Sequence, residues 1–146
     1  MMKNVVLGLL LLLVTCACSK DDDFANTPTD AGIVGRWKLV ETRVSDGATT
    51  HNVDVQKENY VVTFHDDLRV EASDFTCTGT YSYNPDQKWE LGKGNMEVVF
   101  KDCATDKRSP HSVVGPSNVN LSDDNTLHIS YPNCIEQCTR VFRRLK

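Results

Sequence analysis

From Ile33 to the C-terminus the chain reads in one period only. Apolar residues alternate with polar ones in runs of five to nine residues, broken by Asp, Asn, Gly and Pro, and no stretch sustains a 3.6-residue period. Such runs bury one face only by pairing edge to edge, so the chain is committed to β-sheet. Strands are predicted at about Ile33–Ser45, Asn59–His65, Leu68–Ser73, Cys77–Tyr83, Asn95–Lys101, Ser112–Leu121, Thr126–Tyr131 and Thr139–Leu145. Asp66-Asp67 and Ser122–Asn125 read as short turns, where Asp and Asn side chains bond to nearby backbone. The stretches 46–58, 102–111 and 132–138 are longer connections. An even count of strands lets the first and last pair antiparallel and close an up-and-down barrel. Lys88–Leu91 (KWEL) would break that closure as a ninth strand, and is read as an extension or side hairpin at the Trp37 end.

Composition narrows the function. The 146 residues carry a formal charge of −4, which argues against nucleic acid, a ligand that calls for a basic face. The only local basic cluster, Arg140, Arg143, Arg144 and Lys146, ends an alternating strand and reads as a solvated barrel rim. No G-x-S-x-G elbow, H-E-x-x-H, P-loop or G-x-G-x-x-G occurs, so no enzyme, cofactor or metal site is expected. His65-Asp66-Asp67 is read as a tight turn, and His51, His111 and His128 as isolated surface residues.

The N-terminus supplies an address. Lys3 precedes an apolar run from Val5 to Val14, too short to span a bilayer but suited to a signal-peptide core. The small residues and cysteines that follow resemble the lipobox of bacterial lipoproteins, where the cysteine after the cut is acylated. Cys16 has Leu13 at minus three but Thr15 at minus one; Cys18 has Ala17 at minus one. Cleavage before Cys18 leaves four further cysteines, an even number suited to an oxidising compartment. The reading is therefore a signal peptide over 1–17, a lipidated tether over 18–31 with palmitate-type acylation at Cys18, and a domain over 32–146. Ser19-Lys20-Asp21-Asp22-Asp23 resembles the export signal of surface-exposed lipoproteins in one group of Gram-negative bacteria. It implies an outer-membrane, lipid-anchored protein on the cell surface.

Gly35-Arg36-Trp37 at the start of the first strand resembles the G-x-W signature of lipocalins, and Thr139–Leu145 (TRVFRRL) resembles the closing strand of small lipocalin-like lipoproteins. Tyr60–Phe64 with its Asp-Asp turn, and Val119–Leu127, fit the family's hairpins. The resemblance implies an all-β fold, an eight-stranded up-and-down antiparallel barrel. It also implies a barrel floor of Gly35, Trp37 and Arg144 in which the guanidinium lies on the indole, with Arg143 as the alternative. Strand bookkeeping puts Cys77, Cys103, Cys134 and Cys138 at the opposite end. Three pairings are open: two that staple several mouth loops together, and a local Cys134–Cys138 bridge that leaves Cys77–Cys103.

Alternation places Tyr60, Val62 and Phe64 on one face, Tyr81 and Tyr83 on another, and Met96, Val98 and Phe100 on a third. If these line an open lumen, Tyr60, Phe64, Tyr81, Tyr83 and Phe100 would hold a small apolar ligand. Equally, they can fill the barrel. A second function resides in the mouth loops, where Lys107-Arg108-Ser109-Pro110-His111 forms a basic, proline-stiffened segment suited to a protein partner, as in an inhibitor module. The expected state is a monomer.

Overall fold

The computed structural model describes residues 22–27, 30–89, 92–103, 108–122, 125–132, 134 and 138–146. The signal peptide, Cys18 and Lys107 lie outside the described residues. Nine strands form: β1 (Gly35–Ser45), β2 (Thr50–Asp54), β3 (Val61–Phe64), β4 (Arg69–Ala72), β5 (Gly79–Trp89), β6 (Gly92–Val99), β7 (Gly115–Ser122), β8 (Thr126–Ser130) and β9 (Thr139–Arg144). All pairings are antiparallel, in the order β2-β1-β3-β4-β5-β6-β7-β8-β9, and β1 pairs with β9 to close the ring. Without β2, the closed ring is an eight-stranded up-and-down barrel.

The interior follows from period two. Val62 and Phe64 on β3, Val70 and Ala72 on β4, Met96 and Val98 on β6, and Leu127 and Ile129 on β8 are buried, and the residues between them are not. A bulge between Leu39 and Glu41 marks where β1 changes partner: its first half pairs with β3 and its second half with β2. The extra residue sits above the floor, so it leaves Trp37 opposite Arg144.

One stretch departs from the sequence reading. β2 and a 3-10 turn at Gln56–Glu58 occupy the stretch expected to be loop. β2 escaped notice because all five of its residues are exposed, so it has no buried face to impose alternation. It exists because Asp46 builds a turn, its Oδ1 accepting from the Ala48 amide (3.0 Å) and the Thr49 amide (2.7 Å). The extension expected at Lys88–Leu91 forms as far as it is described: Lys88 and Trp89 continue β5, which pairs with β6 as a two-stranded ribbon out to Trp89 and Gly92. Asp22–Thr27, within the expected tether, is docked on the barrel: Phe24 bridges to Leu145, and the Ala25 amide donates to the Arg144 carbonyl at 3.0 Å.

Candidate functional site

Both ends of the barrel are closed, and each locates residues singled out above. At the base, the Arg144 guanidinium lies 4.1 Å above the centroid of Trp37, and both side chains are buried. Nη1 donates to the Val34 carbonyl (2.7 Å), Nη2 to the Gly32 carbonyl (2.5 Å) and Nε to Asn125 Oδ1 (3.1 Å). Trp37 Nε1 donates to the Ile33 carbonyl at 2.8 Å. A cation over the indole face, with its donors used on carbonyls, needs no counter-charge. The glycine of G-x-W has its own reason: Gly35 has φ +137°, and a Cβ there would lie 2.5 Å from Arg144 Nη1.

Arg143 points outward, 4.3 Å from the Phe24 ring centroid. The basic cluster is thus no solvated rim: its members engage Trp37, Phe24, Asp23 and, in Arg140, the mouth. Clustering in sequence hid four destinations in space.

The interior is packed. Trp37, Leu39, Val62, Phe64, Met96, Val98, Val119, Leu127, Ile129 and Phe142 all have at most 1 % of their surface exposed. Phe64 and Tyr81 meet edge to face with centroids 5.0 Å apart, and the Tyr81 hydroxyl donates to the His65 carbonyl at 2.7 Å. Tyr60 is buried beside Phe142 at 6.3 Å. Tyr83 is half-buried, and Phe100 lies past the end of β6, stacked on Phe75 at 3.9 Å. Phe100 therefore belongs to the rim and not to the lumen. The room for its ring comes from Gly79, where a Cβ would lie 2.8 Å from Phe100 Cδ1.

The mouth is covered by residues 108–114. Val113 is wholly buried in the barrel core, and its amide donates to the Tyr60 hydroxyl at 3.2 Å. The Ser112 carbonyl accepts from Arg140 Nη1 and from the Tyr131 hydroxyl (3.4 Å), and the Pro110 carbonyl accepts from Arg140 Nη2 (2.9 Å). Asp74 Oδ2 accepts from the Ser109 amide at 3.1 Å, and His111 Nε2 stands 2.9 Å from Glu58 Oε2. Arg140 also stacks on Tyr131, 4.3 Å from its centroid. Burial pushes the Tyr131 phenol up to about 12, against the opposing pull of Arg140. The Tyr60 phenol is raised further, by burial and then by the Asp74 charge. Both stay neutral at physiological pH, as hydrogen-bonding latches must.

The described part of the basic mouth segment, residues 108–114, therefore forms a lid. Arg108 and Pro110 are exposed, and the Arg108 guanidinium lies 5.8 Å from the centroid of Phe75. The sequence missed the latch because its residues come from four separate connections and strands. Beside the lid, Cys77 pairs with Cys103 and Cys134 with Cys138, each with Cα atoms 5.8 Å apart. Of the pairings left open, the local one forms, so each bridge closes its own loop.

Two open concavities lie on the outer wall. One of about 460 Å³ is bounded by Arg36, Thr63, Glu71 and Phe75; the other, about 650 Å³, by Asp22, Asp23, Lys38 and Asn59. Among the described residues no group of three His, Cys, Asp or Glu side chains is placed to hold a metal ion. No protein family model, curated protein or solved structure matches this chain.

Proposed function

We propose that this is an exported, lipid-anchored surface module of lipocalin-like build that binds a partner through the rim of its lidded mouth. In this reading it is neither an enzyme nor a carrier of an apolar ligand in its lumen. The observation that supports it is the fully buried interior under a latched lid: ten core side chains show at most 1 % of their surface, and Val113 plugs the mouth. Loading the lumen would require both displacing Val113 and moving the buried side chains beneath it. The rim offers what a protein partner uses: two disulfide-closed loops, the Phe75–Phe100 stack, and the exposed cation of Arg108. The acyl anchor at Cys18 and the placement outside the cell belong to the same proposal, and rest on the N-terminal sequence alone.

Native mass spectrometry of the chain from its own host, together with titration of N-phenyl-1-naphthylamine, tests the reading. The expected result is a protein mass with no cargo beyond the anchor, and no fluorescence gain from the naphthylamine. A releasable apolar cargo, or dye uptake lost in Tyr81→Ala, would return the lumen to the role of binding site.

A further inference from the structure

We infer that Asp22–Thr27 is an orienting strap, which turns the base of the barrel toward the lipid surface and presents the mouth away from it. The inference rests on the Cys18 anchor proposed above. Its structural ground is independent of that reading. Within six residues the strap contacts the outer wall at Lys38 on β1 and the base end of the ring at Leu145 and Asn125. Asp22 pairs with Lys38, an ammonium that is 4 % exposed and also donates to Asn59 Oδ1 at 2.9 Å. Asp23 accepts from Lys146 at two points, through its carbonyl (2.9 Å) and its carboxylate (2.6 Å). Phe24 bridges to Leu145 and lies under Arg143, Ala25 bonds to Arg144, and Asn125 Nδ2 donates to the Thr27 carbonyl at 2.6 Å.

Docking changes what the anchor can do. Were the chain free as far as Val34, sixteen peptide steps from Cys18 would give a reach of about 55 Å. With Asp22 fixed, four steps remain, a leash of about 14 Å. Its fixed point, Lys38, stands one residue along β1 from the floor tryptophan. Ser45, at the mouth end of β1, is seven residues further along, about 23 Å of strand. The mouth is thus further from the fixed point than the leash is long, while the turn at Asp66-Asp67 is on the base side. A barrel on a long leash tumbles; one on this leash does not.

The test uses the chain from Cys18 onward, whose other cysteines are in disulfides, coupled through Cys18 to a maleimide lipid in phosphatidylcholine vesicles. Chemical coupling supplies the anchor whether or not the cell does. A separate intact-mass measurement of the protein from its own host tests natural acylation. A dye is attached through p-azidophenylalanine at Asp66, on the base, or at Ala48, beyond the mouth end of β1, and energy transfer to rhodamine lipids is read. Transfer should be at least about threefold greater from position 66, given a leash shorter than the strand. Sixteen Gly/Ser residues inserted between Asp21 and Asp22, which leave every strap contact intact, should bring the ratio close to one. Equal transfer from both positions in the parent, or an undiminished ratio after the insertion, overturns the inference. Absence of a natural acyl chain with the ratio intact would overturn the anchor and leave the strap geometry standing.

Discussion

The base and the mouth of this barrel share one device, an arginine laid on an aromatic ring, and differ in what surrounds it. At the base, one cation is laid on one indole, and its donors are spent on carbonyls of the turn that leads into β1. At the mouth, a loop is drawn over the opening by side chains from four places, with Tyr60, Asp74, Tyr131 and Arg140 each bonding to its backbone. The base is assembled from the first and last strands, which closure of the ring brings together in any case. The mouth depends on hydrogen bonds made only after the ring has formed.

The sharpest way to break that contrast is at the floor. Trp37→Ala removes a fully buried indole and strands the Arg144 charge, and should cost about 3–5 kcal/mol in urea unfolding. A midpoint near that of the parent would mean that the stack does not hold the base. Next come the bridges of the mouth. The Cys77–Cys103 link spans 26 residues and the Cys134–Cys138 link four. Replacing the first pair by serine should therefore cost about 3 kcal/mol and the second about 2, because a longer loop restricts the unfolded chain more. The reverse order would show that the bridges act through the folded rim instead.

Arg140→Ala leaves the Ser112 and Pro110 carbonyls short of a donor, at a cost of about 2 kcal/mol. Amide exchange should accelerate at Val113 and remain unchanged at Leu39. Uniform acceleration would mean that lid and barrel open together. The smallest effect is expected from alkali. The folded-state pKa of Tyr131 is raised, so its contribution is complete below the unfolded value near 10 and is lost as pH climbs to about 12. Partial exposure of the ring limits this to about 2 kcal/mol at most. Tyr131→Phe should flatten the fall in stability between pH 10 and 12, and an unchanged slope would place the titrating latch at Tyr60.

How far the residues announce this architecture differs by region. The alternation of Val62 and Phe64, of Val70 and Ala72, and of Leu127 and Ile129 was legible, since a strand with one buried face must repeat every second residue. β2 was not, because a strand exposed on both faces has no such constraint. The resemblance of Gly35-Arg36-Trp37 to a barrel-floor signature was legible too, and the close approach of Gly35 to Arg144 gives it a steric reason. The lid was not legible. Lys107 to His111 look polar and basic in isolation, and only the contacts of Ser109 with Asp74, of the Pro110 carbonyl with Arg140 and of His111 with Glu58 hold the described part of this segment over the mouth.

The sequence by itself determined the all-β class, the even ring of strands and the parity that sends Trp37 inward, since these depend on local alternation and on counting. Tertiary structure alone decided which cysteines pair, that Arg144 and not Arg143 meets the indole, that Asp22–Thr27 is strapped to the base, and that the mouth is shut. Those outcomes depend on a bulge and on contacts between residues dozens of positions apart, and no local pattern carries the distance between residues that the closing of a ring brings together.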